Sequence, residues 1–345
     1  MLSRIFPYIS PPMRAPPAFP IIFLAFSLAF LVAVPAALRA QEENPAGLSA
    51  FELPTGARPL GMGRAFVAAS GDLQGLLYNP AGLASRDSIG LTFSRYQGAS
   101  DLDLSGNFGA VSFPLLAGAA TLAVNYEDLG EFELTGPTPD PLGTLDLRNV
   151  LLVGSYAYRL GPRVALGASV KYLSSDLGVA DGSGFAFDAG ALLRPWPEAP
   201  LSLGLAVLNV GSEITYELDD PAEGTSAEGE GDPLPSRFRW GAALDVGELT
   251  DPESPYGLRL AADVEHNLRE LGDVSLFGGA AVDYRDIVVF RGGLLRLDNA
   301  FGEEPATGAS IGAGVQWQRL RVDIARELGV NEIGDETHFS LGVDF

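Results

Sequence analysis

The side chains that could carry chemistry are few and poorly placed for it. There is no Cys, and the two His residues, His266 and His338, are far apart in the chain. That excludes disulfide frameworks, thiolate metal sites, thiol nucleophiles and a His-rich metal centre. The chain has no GxSxG, HExxH or phosphate-loop pattern. Gly61-x-Gly63 and Gly312-x-Gly314 are fragments of a dinucleotide pattern without the strand–loop–helix setting that would make them one. The stretch 211–235 carries Glu213, Glu217, Asp219, Asp220, Glu223, Glu228, Glu230 and Asp232. Such oxygen-rich stretches can hold Ca²⁺, but the spacing is irregular and the segment reads as a solvated loop, as do Asp101 and Asp103. Paired carboxylates such as Asp219-Asp220 have no enclosing pocket visible in the sequence, so no acid–base catalysis is expected. The reading is a non-enzyme with no cofactor and no metal.

Charge narrows the partners. The 345 residues include 44 acidic and 22 basic ones, a net −22. Nucleic acid, which needs clustered cations, is excluded as a partner. Lys171 is the only lysine, which reads as a codon bias rather than a phosphate site. Glycine is abundant, 42 residues, and charged residues make up only 19%. Tight turns in a β protein fit that balance better than a helical enzyme.

Residues 1–40 read as a signal peptide. Arg4 and Arg14 precede an apolar run from Phe19 to Ala37, and small residues follow at Ala36, Ala37 and Ala40. Cleavage is expected after Ala40 or Ala36, and translation could begin at Met1 or Met13.

Beyond residue 87 the pattern turns to period two. Val164, Leu166, Ala168, Val170 and Tyr172 alternate with Ala165, Gly167, Ser169 and Lys171, and Phe238, Trp240, Ala242, Leu244 and Val246 alternate with Arg239, Gly241, Ala243 and Asp245. This predicts strands near 88–97, 104–113, 117–126, 149–159, 163–174, 184–193, 201–210, 236–246, 256–266, 273–285, 287–297, 308–317, 319–327 and 337–345. Each is about ten residues long, enough to cross a bilayer at a tilt. Short links alternate with long ones at 127–148 and 211–235. The fold class is therefore all-β: a 14-stranded antiparallel transmembrane β-barrel over 88–345. A soluble sandwich of this many long strands would leave edges open, which closure removes.

Charges cannot face lipid without cost, so Arg237, Arg239, Arg259, Asp263, Glu265, Asp283, Arg285, Arg321 and Asp323 are expected to face the lumen or its rim as a mixed-sign wall. On the early strands Gly109, Ala123, Ser155, Gly167, Ser169, Gly190 and Gly204 are expected on the inner face. The chain ends on a period-two strand with Phe339, Leu341, Val343 and Phe345 on one face. A terminal aromatic in that setting resembles the label read by the barrel-assembly machinery.

Residues 41–87 precede the barrel, and 56–84 are too Gly-punctuated for a membrane strand. Asn79-Pro80-Ala81-Gly82 is a turn: Asn forms an Asx turn, Pro fixes φ and Gly82 permits positive φ. Gly61 and Gly63 would let the backbone lie against a wall. A small N-terminal lumenal hatch follows as an expectation. The segment resembles the N-terminal signature of the PorV/PorQ family, within the FadL-type (long-chain fatty acid transporter-like) β-barrel group. The residues that carry this are Gly56, Ala57, Arg58, Gly61, Met62, Gly63, Ala65, Phe66, Val67, Ala68, Asp72, Asn79, Pro80, Ala81, Gly82 and Leu83. Arg64, Gly71 and Tyr78 depart from it.

The resemblance implies a non-catalytic barrel of the bacterial outer membrane that handles transport or secretion cargo, with residues 56–84 as the plug. PorV-like members imply protein cargo and components of the type IX secretion system. FadL-like members imply passive transport of hydrophobic small molecules. A structural barrel without transport is the third reading. Outer-membrane lipid is the expected surroundings in all three.

Overall fold

The computed structural model describes residues 46–51, 54–98, 104–135, 141–195, 200–220, 225–246, 254–269, 274–298, 305–329 and 335–345. The proposed signal peptide and Asp101, Asp103 and Glu223 lie outside them.

Period-two alternation becomes a ring of strands. In chain order they are β1 Gly90–Gln97, β2 Ser105–Leu115, β3 Gly118–Thr135, β4 Pro141–Arg159, β5 Val164–Asp176, β6 Ala180–Leu193, β7 Leu201–Gly211, β8 Ile214–Asp220, β9 Thr225–Asp232, β10 Arg237–Asp245, β11 Tyr256–Asn267, β12 Val274–Tyr284, β13 Val288–Leu297, β14 Ala306–Trp317, β15 Leu320–Leu328 and β16 Glu336–Asp344. All sixteen belong to one antiparallel sheet. Two of them, β8 and β9, form a hairpin on the far end of β6. The other fourteen close into a barrel. β7 pairs with β10, and β16 returns to β1 over Gly90↔Asp344 to Gln97↔Thr337. Closure leaves the fourteen-stranded wall without an open edge, which hydrocarbon demands.

The outer surface is apolar. Phe93, Leu122, Leu152, Phe187, Phe290, Leu294, Ile311 and Phe339 are exposed large hydrophobics. Aromatics gather at the short-turn end: Tyr158, Tyr256, Tyr284 and Trp317 are exposed there, and Tyr256 faces Tyr284 at 5.3 Å. On β4, Tyr158 lies near that end and Arg148 near the other. At about 3.4 Å per residue and about 40° of tilt, the height between them is about 26 Å, matching the ~25 Å apolar band of such barrels. Phe339, Leu341, Val343 and Phe345 share this outer face, next to the seam with β1.

Three expectations about loops and inner-face glycines need correction here. The stretch 127–148 is not a loop: β3 and β4 run on as a hairpin to Thr135↔Pro141, with a bulge between Asp128 and Gly130. The acidic stretch 211–235 contains β8 and β9, because Ile214 and Tyr216 alternate with outward polar residues and bury themselves. Gly109 faces outward: on β2 the buried positions are Gly106, Phe108, Ala110 and Ser112, and the nearest atom to a methyl placed on Gly109 would belong to exposed Val124.

Candidate functional site

The lumen is filled by the chain's own residues 54–86. The filling is built from single turns: a one-turn helix α1 (Ala57–Gly61) and 3₁₀ turns at Leu73–Gly75 and Pro80–Ser85. Local chemistry explains each. Asp72 accepts a hydrogen bond from Gln74 N, and Asn79 Oδ1 accepts one from Ala81 N at 3.0 Å, both as N-caps. Pro80 sits at the first position of its turn, where a missing N–H costs nothing. Gly63 and Gly71 have φ of +59° and +77°. Gly82 is not at positive φ, contrary to expectation. It is required by space, since a Cβ there would press on Ala69 O.

The wall receives this segment through glycines. A Cβ at Gly167 would strike Pro80 and Ala81, at Gly190 the Asn79 side chain, at Gly204 Val67, and at Gly293 Gly63. Gly61 meets Gly312, where a Cβ on either glycine would come within 3.4 Å of the other's backbone. Backbone polar groups then reach across. Asn79 Nδ2 donates to Val67 O at 2.7 Å and to Ala191 O at 3.1 Å. Ala57 N donates to Ser340 Oγ, and Gly63 N to Ser310 Oγ. Gly56, extended at φ −160°, packs against Gln74.

One side of this contact is ionic. Asp263 Oδ2 accepts from Phe66 N at 2.7 Å, Val67 N at 2.9 Å and Arg239 Nε at 3.2 Å. Arg239 also donates to Arg64 O and pairs with Glu265 at 3.3 Å, and its guanidinium lies 4.1 Å from the Phe277 ring and 5.1 Å from Tyr78. Arg237 pairs with Glu265 at 3.0 Å. Arg64, at φ +63°, makes two hydrogen bonds to Glu327, 2.5 and 2.9 Å. Burial opposes its charge, but Glu327 and Glu336 outweigh that and hold its pKa above the ordinary value. Arg58 pairs with Asp72 and lies 3.8 Å from Asp323, which Arg291 holds at 2.8 Å. Arg86 pairs with Asp344. Tyr78 stands edge-on to Phe66, and burial pushes its hydroxyl up to about 12, so it stays neutral.

The other side is greasy. Phe51, Leu73, Leu76 and Leu83 pack against Phe108 of β2, Leu151 and Val153 of β4 and Leu173 of β5. The cluster continues to Ile214 and Tyr216 of β8 and to Leu234. Two polar nodes interrupt it. Lys171, 1% exposed, pairs with Asp188 at 2.8 Å and donates to Asn209 Oδ1 at 2.7 Å. Asn209, at φ +57° where β7 slips register against β6, donates its N–H to Asp188. Glu127, fully buried, accepts from Ser49, Tyr96, Asn149 and Asn125 at 2.8 to 3.4 Å.

The expected lumenal charges therefore divide. Arg239, Asp263 and Asp323 are buried at the hatch contact, and Arg237 stands beside them. Arg321, Asp283 and Arg259 lie at the short-turn rim. Arg321 bonds Gln316, Asp283 lies against Gly257, and Arg259 is 61% exposed and bonded to Asp245. Arg285 is not on the wall. It forms a two-residue turn with Asp286, φ +53° and +56°, which its strand-end position disguised. The buried wall charges bind both each other and the hatch. Sequence reasoning missed Lys171, Glu127, Glu327 and Glu336. The inner-face parity of Lys171 was visible, but its partner Asp188 stands one diagonal step away from its register mate Ala186.

No family model matches this sequence, and no curated protein matches it. Solved structures do. The chain is similar to the Pseudomonas putida toluene transporter TodX, at TM-score 0.56 and 12% identity over 85% of this chain and 99% of that one. It is similar to the CymD monoaromatic hydrocarbon channel, at TM-score 0.55 and 14% identity over 84% and 96%. It is also similar to a Pseudomonas aeruginosa FadL homologue, at TM-score 0.55 and 15% identity over 84% and 98%. The fold is that of the FadL-type hydrocarbon-transporter barrels. The fold agrees with the FadL-type part of the sequence resemblance, while these neighbours lend the PorV/PorQ part no support. Structures of this FadL-type fold named as transporters or channels, not as enzymes, are the company the chain keeps.

Proposed function

We propose that the chain is a passive, non-catalytic transporter of hydrophobic small molecules in the bacterial outer membrane. The carrying observation is the apolar seam. It runs past two buried polar nodes, from Leu234 and Ile214, near the long-loop end, by Leu173 and Phe108 to Leu73 and Leu83 of the hatch. A greasy solute finds contacts along that seam at no desolvation cost, while ions meet a filled lumen. The hydrocarbon-transporting neighbours support the same substrate class. Residues 56–84 act as the plug, and the outward Phe339, Leu341, Val343 and Phe345 serve assembly at the closing seam. Handling of protein cargo by a secretion system draws no support from this geometry.

The test is uptake of a fluorescent hydrophobic probe into vesicles bearing the purified barrel, beside a variant lacking residues 56–84. Faster probe entry than into protein-free vesicles is expected for the full chain, and faster still for the deletion. Entry no faster than into protein-free vesicles in both would overturn the proposal.

A further inference from the structure

One cross-strand row of the inner wall carries polar side chains and glycines only. Register runs Tyr96–Gly106–Glu127–Asn149 across β1 to β4, then Ser175–Gly182–Tyr216 across β5, β6 and β8. The two tyrosines are laid alike: a Cβ on Gly106 would strike the Tyr96 ring, and one on Gly182 the Tyr216 ring. Tyr96 crosses its glycine to reach Glu127 at 2.9 Å. Tyr216 crosses its glycine and finds no such acceptor. Tyr216 OH, Ser175 Oγ and Asn149 Oδ1 are all buried without a hydrogen-bond partner among the described residues. Their side chains are 6%, 2% and 0% exposed. Leaving three such atoms unpaired on one row costs stability.

The next inner row toward the short-turn end is apolar at the same strands. Leu151 and Leu173 are register partners, and Ile214 covers Gly184, which pairs with Leu173. All three belong to the greasy seam. The chain itself shows what these two rows recognise together. The 3₁₀ turn Ala46–Phe51 brings Ser49 Oγ to 2.8 Å from Glu127 and 3.2 Å from Asn149 Nδ2, and sets the Phe51 ring into the leucine cluster. That is a hydroxyl on the polar row and an aromatic ring on the apolar one.

We propose that Asn149, Ser175 and Tyr216 bind the hydroxyl of a neutral aromatic solute, a phenol, whose ring lies on Leu151, Leu173 and Ile214. One hydroxyl there donates to Asn149 Oδ1 and accepts from Ser175 or Tyr216, so a single group serves the unpaired atoms. The ring takes apolar contacts of the kind Phe51 makes in the filled lumen, and the apolar side of the hatch slides to admit it. No arginine or lysine belongs to the row. Lys171, two rows down, is already held by Asp188 at 2.8 Å. A carboxylate head would therefore enter unpaired, at a desolvation cost that a neutral hydroxyl avoids. The inference rests on the transport reading above and narrows its substrate class.

The experiment dialyses the full chain in lipid nanodiscs against para-cresol, para-xylene and para-methylbenzoate at neutral pH, with protein-free discs subtracted. The three share one ring and differ in the head: hydroxyl, methyl or carboxylate. Para-cresol should bind about tenfold tighter than para-xylene. Ser175→Ala with Tyr216→Phe should erase that ratio and leave para-xylene binding unchanged. Removing hydroxyls that have no partner should not unfold the barrel. Ser174→Ala, next in sequence but on the outer face, should keep the ratio. Equal binding of para-cresol and para-xylene by the unaltered chain would overturn the site. So would tightest binding of para-methylbenzoate, or a ratio that survives the double variant. Entry of para-xylene into vesicles separates the two readings. Entry at the protein-free rate would overturn transport itself, whereas faster entry without a hydroxyl preference in binding would overturn only this site.

Discussion

The two halves of the lumen hold the same hatch by different physics. Along β10 to β16 the contact is made of buried charge pairs and backbone hydrogen bonds, with Asp263 as the point where three donors converge. Along β2 to β6 it is made of Leu, Phe and Val side chains. Charge-assisted hydrogen bonds are directional and costly to break singly. Apolar contacts are non-directional and can slide. The hatch is thus pinned on one side and lies against grease on the other; for the proposed transport, that assigns the solute path to the greasy side and the hinge to the pinned side.

Breaking the pinned side should have the largest effect. Asp263→Ala leaves Arg239 with Glu265 alone as its carboxylate partner and removes the acceptor of the Phe66 and Val67 amides, and a loss of about 3–5 kcal/mol is expected. Urea unfolding in detergent micelles reads the loss, and planar-bilayer recordings should show ion leak. Leu173→Ala on the greasy side should cost about 3 kcal/mol as a cavity. Its signature differs: faster hydrophobic-probe entry with no ion leak. Equal ion leak from both variants would erase the distinction between the halves.

Lys171 tests whether the ionic node inside the greasy half is fastening or filler. Lys171→Met leaves Asp188 buried and unpaired, at about 3 kcal/mol. Lys171→Met with Asp188→Leu should recover most of that, since an isosteric apolar pair is often neutral or better. If the double variant is as weak as the single one, the bulge at Asn209 depends on the charge of Asp188 rather than on filling. Gly293→Ala sharpens the comparison from the wall side. Its methyl would overlap Gly63, and about 1–3 kcal/mol is expected. Gly154→Ala, facing lipid with nothing nearer than 3.9 Å, should be neutral in the same unfolding assay.

How much of this was legible follows from period. A two-residue repeat fixes which face a side chain takes, so the fourteen wall strands and the inner position of Arg239 and Asp263 could be read directly. The hairpin β8–β9 could not, because acidic residues occupy its outward positions and hide the alternation of Ile214 and Tyr216. Partner identity was also hidden. Lys171 finds Asp188 across a diagonal, and Arg64 finds Glu327 across 263 positions of chain. Parity says that a charge points inward, but only shear and register say whom it meets. The wall glycines were readable as small, while their role as seats for the hatch needed the hatch in place.

The smallest effect should come from the rim. Arg259 shares the inward parity of Asp263, yet it bonds Asp245 where water reaches both. An exposed pair of this kind contributes about 0–1 kcal/mol and weakens with salt. Arg259→Ala should leave urea unfolding within that range and leave hydrophobic-probe entry unchanged. Two residues with the same parity, two turns of the pleat apart, would then differ severalfold in consequence. The separating variable is contact with the hatch, so a large loss from Arg259→Ala would show that charge position along the wall, rather than engagement of the hatch, governs stability.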